Sequence, residues 1–143
     1  NTHDMPPAAG YLEYGHVKLR EQLGLLSGPV EEFQKSATAE HNAMLNMLVE
    51  EGYLDKAALD DEAANENEIV DALYRGLKGS PCKLMAASIV DAVGEKRTQN
   101  QPGTNNEYPN WRIPLADGEG NVVPLEKLFD EPRLQEITAI MRG

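Results

Sequence analysis

The chain is poor in cysteine: of its 143 residues only Cys82 carries a thiol, so no internal disulfide can form. A lone cysteine fits a reducing, cytoplasmic setting, and beside Pro81 it reads as a small buried or half-buried residue. Basic residues are scarce too. Thirteen Lys and Arg stand against 24 Asp and Glu, a formal net charge of −11, which argues against a phosphate backbone or an anionic membrane as partner. No apolar run reaches the ~18–20 residues of a membrane span, and no basic-then-apolar opening marks a signal peptide. Gly-rich phosphate loops, nucleotide fingerprints and a nucleophile-elbow sequence are missing. His3, His16 and His41 lie far apart in sequence and share no ligand spacing such as HExxH, so neither a metal nor another cofactor is expected.

What is present is enough for one globular core: 41% hydrophobic and 26% charged residues are ordinary for a folded domain. The most unusual stretch is Asn100–Leu115, NQPGTNNEYPNWRIPL, which holds the only tryptophan in the chain. Its Pro-Gly, Tyr-Pro and Asn-Trp-Arg steps cannot form a regular helix or a central strand. Shaped loops of this length in compact domains are mostly functional.

The pattern before that loop is largely helical. Asn1–Pro7 reads as the end of a strand and the loop after it, because Pro6-Pro7 stops any ladder. Apolar residues from Ala8 to Leu26 recur at helical spacing, weakened at Gly15 and Gly24. Ser27-Gly28-Pro29 punctuates the chain, and a second helix follows over about Val30–Glu51, with a break near Ser36–Ala39 allowed and Gly52 as its stop. Tyr53–Leu59 is a connecting turn with some helix. Asp60, Asp61, Glu62, Glu66 and Glu68 form an acidic run suited to a solvated helix start. Glu66–Lys78 is the next helix. Leu84–Val90, LMAASIV, is a short apolar run whose length and position favour a buried parallel strand, with Asp91–Gly94 as a single helical turn capped by Asp91. After the loop, Asp117–Asn121 is a surface turn, and Pro124–Phe129 and Pro132–Met141 are short helices.

Two groups of residues carry the chemistry that these types allow. An imidazole and a carboxylate, His3 and Asp4, sit at a strand end, and Asn, Tyr, Trp and Arg sit on the later loop. Planar polar groups suit sugar hydroxyls, and an aromatic ring suits the apolar face of a sugar. On spacing alone the competing account stands level with it: Tyr108 and Trp111 are buried loop anchors and Arg112 pairs with a nearby acid.

At these residues the sequence resembles the 4-alpha-glucanotransferases known as amylomaltases or disproportionating enzymes, glycoside hydrolase family 77. One matching segment is Thr2-His3-Asp4-Met5-Pro6-Pro7-Ala8-Ala9-Gly10-Tyr11-Leu12 with His16-Val17 and Leu23-Gly24-Leu25-Leu26 after it, notably as in the actinobacterial branch. The other is Asp91, Gly94-Glu95, Asn100, Pro102-Gly103-Thr104 and Tyr108-Pro109-Asn110-Trp111-Arg112. With the helices between them, the likeness covers essentially the whole chain. It implies an α/β fold, the C-terminal part of a (β/α)8 TIM barrel, with residues 1–143 running from about the end of strand 7 to the C-terminal helix. The piece itself would be mostly α-helical with one or two short strands. Since a whole barrel takes ~250 residues, the opening on Asn1 rather than Met reads as a cut end.

Carried over residue by residue, the likeness implies that Asp4 is the third catalytic carboxylate, holding the sugar hydroxyls beside the anomeric carbon and favouring an oxocarbenium-like transition state. His3 and Asn100 would contact substrate, while Asn110, Trp111 and Arg112 would shape the loop. The substrates implied are α-1,4-glucans and malto-oligosaccharides. Nothing here matches the family's nucleophilic Asp or its acid/base Glu. Retaining transfer needs two carboxyl groups ~5–5.5 Å apart, so the chain by itself is expected to be inactive. Helix faces left bare by the absent part of the barrel would bind that N-terminal part or drive self-association. The alternative is a non-catalytic acidic helical module that binds a protein or glycan.

Overall fold

The structure, a computed structural model, describes residues 3–142. Among them are α1 (Ala8–Leu12), α2 (Gly15–Gln22), α3 (Val30–Glu50), a 3-10 turn (Lys56–Asp61), α4 (Glu66–Gly79), α5 (Ile89–Ala92), α6 (Leu125–Leu128) and α7 (Pro132–Arg142). No helix among the described residues is long and apolar enough to cross a membrane.

α4 is the central element because its two faces feed two apolar clusters. Ile69 and Ala72, three residues apart and so on one side of the helix, join Leu45 and Leu48 of α3 with Leu54 and Ala58. Val70 and Tyr74, four apart, turn the other way and join Ala92 of α5 and Ile137 of α7. Polar contacts lock α7 onto α4. Arg133 reaches both oxygens of Asp71, at 2.8 and 3.1 Å, and Lys78 Nζ donates to the Met141 carbonyl at 2.9 Å.

α3 runs unbroken through Ser36–Ala39 and stops at Gly52, whose φ of +75° turns the chain away. The expected helix from Ala8 to Leu26 is instead two. Tyr14 adopts a left-handed φ of 59° between α1 and α2, and α2 ends at Gln22 ahead of Gly24. The bend accompanies close packing: the backbone at Gly10 lies directly against the Lys96 carbonyl, where any β-carbon would collide. It also turns the Tyr14 ring onto His41, 5.1 Å between centroids.

The strand expectations fail. Leu84–Ser88 is free of regular structure, Ile89 begins α5, and Leu84 is 94% exposed. A strand exists only when another strand takes its backbone N–H and C=O groups, and no strand is present among the described residues, where an isolated antiparallel bridge joins Ala116 to Val122. Of the strand end expected over Asn1–Pro7, Asn1 and Thr2 lie outside the described residues, and His3–Met5 forms a turn and bend. Cys82 is exposed, not buried; the Gly79-Ser80-Pro81 break carries it off α4 before the chain returns to the core.

Asp91 does not cap its own helix. It lies buried inside α5, its Oδ1 accepts the Ala8 N–H at 2.8 Å, and so it caps α1, far off in sequence. Its Oδ2 accepts the Tyr74 hydroxyl at 2.7 Å, while the same hydroxyl accepts the Ser88 N–H at 2.9 Å. Burial, then the bond to Asp91, pushes the Tyr74 phenol far above its ordinary range, so it stays a donor. Tyr74→Phe strips a buried carboxylate oxygen and a backbone N–H of their partner at once. It is expected to cost about 2 kcal/mol of stability, read as a lower urea midpoint with unchanged slope.

Candidate functional site

The two distant groups singled out in the sequence meet at one end of the molecule. Asn100 Nδ2 donates to Asp4 Oδ1 at 2.6 Å across 96 residues of chain. His3 Nε2 lies 3.3 Å from that same oxygen, and the His3 ring sits against the Trp111 indole, 5.2 Å between centroids and tilted by 42°. His3, Asp4, Asn100 and Trp111 therefore form one exposed polar and aromatic cluster, in which Asp4 is the carboxylate. Two hollows open beside it. One of about 390 Å³ is bounded by His3, Met5, Ser88, Gln99 and Trp111. The other, of about 300 Å³, runs from Asp4 past His16 and Leu19 to Tyr108 and Ile113.

The cluster depends on how the loop after α5 is pinned. Gly94, with φ +74°, ends α5 and directs Glu95 inward, where its carboxylate is 1% exposed. Oε1 accepts the N–H groups of Lys96 and Arg97 at 3.0 and 2.9 Å and Arg97 Nε at 2.9 Å. Oε2 accepts Arg97 Nη2 at 2.7 Å and the Ala116 N–H at 3.1 Å. Arg97 Nη2 also donates to the Pro114 carbonyl at 3.0 Å. One side chain thus fastens both the start and the end of the loop. Burial alone would raise the Glu95 carboxyl, but the hydrogen bonds and charge of Arg97, with the Ala116 N–H, outweigh it and hold the group below its ordinary value.

Within the loop, Asn110 Oδ1 accepts the Gln101 N–H at 2.8 Å and Asn110 Nδ2 donates to Thr104 Oγ1 at 2.9 Å. The Tyr108 hydroxyl donates to the Thr98 carbonyl at 2.7 Å, and the Trp111 N–H donates to the Gln99 carbonyl at 2.9 Å. Trp111 has φ 60°, a left-handed backbone that costs a bulky residue on the order of 1–3 kcal/mol. Its indole is 63% exposed, so it is no buried anchor. Tyr108 is half-buried, and Arg112 is exposed with no ion pair among the described residues. Arg97, Thr98 and Gln101, which brace the site with Glu95, carry no sequence signal beyond their proximity to Gly94 and Asn100, while Glu95 stands in the segment that carries the family likeness.

The remaining histidines serve the core. His41, buried, lies 2.7 Å from Glu62 and stacks on Tyr11 and Tyr14, and His16 stacks on Tyr11 at 5.2 Å. Burial, then Arg20, lowers the His16 pKa, which favours its neutral ring. The expected solvated acidic face is partly engaged: Glu62 takes His41 and Glu66 lies 3.5 Å from Lys96. No group of three metal-ligating side chains occurs among the described residues.

A family model described as 4-alpha-glucanotransferase matches residues 1–118. The chain is 46% identical over 142 residues to a 4-alpha-glucanotransferase of Mycobacterium tuberculosis, covering 99% of this chain and 19% of that protein. A 4-alpha-glucanotransferase of Haemophilus influenzae is 27% identical over 137 residues, 94% of this chain and 19% of that one. Among solved structures, the amylomaltase from Corynebacterium glutamicum superposes with a TM-score of 0.86 at 36% identity, over 99% of this chain and 21% of that one. The chain spans about a fifth of the length of the curated relatives it matches.

The loop clamp has a pH signature. A carboxyl held below its ordinary 4.5 when folded contributes stability that is complete above the unfolded value and is lost as pH falls through the folded one. Other acids add to that acid limb, so the comparison is with Glu95→Gln. The variant should be less stable at pH 7, and the gap to the wild type should narrow as the pH falls below about 4.5. Urea midpoints followed by circular dichroism between pH 7 and pH 3 test this; a gap constant with pH would refute the charged clamp.

Proposed function

The chain belongs to the 4-alpha-glucanotransferase family, glycoside hydrolase family 77, and from that premise we propose that it is the C-terminal part of a cytoplasmic enzyme that moves α-1,4-glucan segments between malto-oligosaccharides with retention of configuration. The observation that carries this reading is the Asp4–Asn100 contact. A carboxylate and an amide from opposite ends of the chain meet in an exposed cleft beside a histidine and a tryptophan, as recognition of sugar hydroxyls requires.

In this account Asp4 accepts hydrogen bonds from the hydroxyls next to the anomeric carbon and favours the flattened, positively charged ring of the transition state. His3 and Asn100 hold the same sugar. Asn110, Trp111 and Arg112 keep the loop in shape, Asn110 through its side chain and Trp111 through its N–H. The nucleophile that takes the donor glucosyl unit and the acid that protonates the departing oxygen come from the preceding part of the enzyme. The acceptor's 4-hydroxyl then displaces the nucleophile and gives its proton back to the same acid/base group, so bonds and protons balance over the two steps.

The segment as a whole is proposed to run from about the end of strand 7 of a (β/α)8 barrel to the C-terminal helix. The run 84–87 supports this: it is apolar, belongs to no helix or strand and leaves Leu84 almost fully exposed, as a segment without the neighbours of a closed barrel would be. Ile89, Trp111, Val122, Leu125 and Phe129 are also exposed.

Given maltotriose, the intact enzyme should release glucose and form longer oligomers, and Asp4→Ala should lower that rate roughly 10²–10³-fold. Chromatography of the products decides both points. Near-normal turnover by Asp4→Ala would remove Asp4 from the site, and longer oligomers made by the 143-residue chain alone would defeat the proposal that it lacks the other two carboxyl groups. The bare apolar surface gives a separate expectation: the isolated chain self-associates at high concentration, and co-expression of the preceding part of the enzyme suppresses this and restores transfer. A clean monomer by light scattering, with no restored activity, would count against an incomplete barrel.

A further inference from the structure

The carboxylate of Asp4 is on an exposed turn, ahead of α1, where its own segment offers it only the exposed His3 ring, 3.3 Å from Oδ1. What fixes it comes from the far end of the chain, through Asn100. Asn100 in turn sits in a loop without regular structure, so something must set the distance between the two segments. Thr98 is placed to do so. Its side chain is buried, and its one hydroxyl proton is shared between the Asn100 carbonyl at 3.1 Å and the Met5 carbonyl at 3.3 Å. Met5 follows Asp4 directly. The same hydroxyl therefore clips the residue beside the carboxylate to the backbone of the residue that hydrogen-bonds it. Thr98 is itself held from across the loop, where the Tyr108 hydroxyl donates to its carbonyl.

Resting on the glucanotransferase reading above, we propose that Thr98, held by Tyr108, is a positioning residue that acts through Asn100 to keep the Asp4 carboxylate in its working orientation. The Thr98 hydroxyl bonds the Met5 and Asn100 carbonyls and not the Asp4 carboxylate; its effect is on where Asn100 Nδ2 lies. A valine has nearly the shape of threonine but no hydroxyl. It would leave two carbonyls without their donor and allow the segments to slide, and displacements on the order of 1 Å are enough to cost catalysis heavily. A serine keeps the hydroxyl and the clip.

The test is a double-mutant cycle in the intact enzyme, with maltotriose as substrate, measured well below the melting midpoint of each variant. Thr98→Val should lower kcat about tenfold while KM changes by no more than about twofold, and Thr98→Ser should restore most of the loss. Because Thr98 works through Asn100, the pair Thr98→Val with Asn100→Ala should be no slower than Asn100→Ala alone. Losses that multiply, or a Thr98→Val enzyme of normal kcat, overturn the proposal. Should Thr98→Val fail to fold, Tyr108→Phe enters the same cycle with Asn100→Ala under the same two outcomes. An unsubstituted enzyme inert towards maltotriose overturns the glucan reading and this one with it, whereas additive losses in an active enzyme overturn this one alone.

Discussion

The buried carboxylate of Asp91 is the joint on which the architecture turns. One oxygen caps α1, which fixes the segment carrying His3 and Asp4, and the other takes the hydroxyl of Tyr74 from the middle of α4. Both oxygens must be occupied, because an unmatched buried charge costs more than a lost bond is worth. Four residues later Glu95 repeats the arrangement toward the opposite side, gathering Arg97, the Lys96 and Ala116 N–H groups and, through Arg97, the Pro114 carbonyl. The segment from Ser88 to Arg97 thus has one carboxylate facing the helices and one facing the loop. It sets the chain's first residues and its long loop in a common frame.

That frame explains why the sequence reveals some parts and hides others. α3, α4 and α7 are legible because each has apolar residues at helical spacing and a stop such as Gly52 or the Gly79-Ser80-Pro81 break, and local patterns decide these features. Leu84–Ser88 is misread for the opposite reason. Its apolar character is real, but strand formation depends on neighbours that composition does not reveal, and here no partner strand is supplied. The break at Tyr14 is not marked either, and beside it the backbone at Gly10 packs against Lys96, far off in sequence. Asp91 looks like a local cap and is a remote one.

At the site, His3, Asp4, Asn100 and Trp111 can be named from residue type, position and family likeness, and they do come together. Glu95 is marked by the likeness but not by its role, and Arg97 and Thr98 by neither, since these roles lie in hydrogen bonds to backbone groups far off in sequence. A carboxylate in a chain with 24 acids carries no mark of burial, and a threonine hydroxyl pointing at two carbonyls looks like any other threonine. Residues of unusual type and position announce themselves by chemistry; residues that hold them announce themselves only by geometry.

The loop from Asn100 to Leu115 is accordingly held by polar contacts. It contributes little to the apolar clusters, which are built from α3, α4, α5 and α7 with the turn after α3, and it has no helix or strand of its own. Its order comes from the Glu95 clamp at its ends and the Asn110, Thr104 and Tyr108 bonds within. Such bonds are directional, so they fix positions closely while each adds only about 1 kcal/mol of net stability. A left-handed Trp111 fits this division, because the backbone strain at that residue is offset by the surrounding polar contacts and leaves the indole turned outward beside His3. Stability is concentrated in the helices and placement in the loop. Asp4, on an exposed turn of its own, is tied to the loop through Asn100.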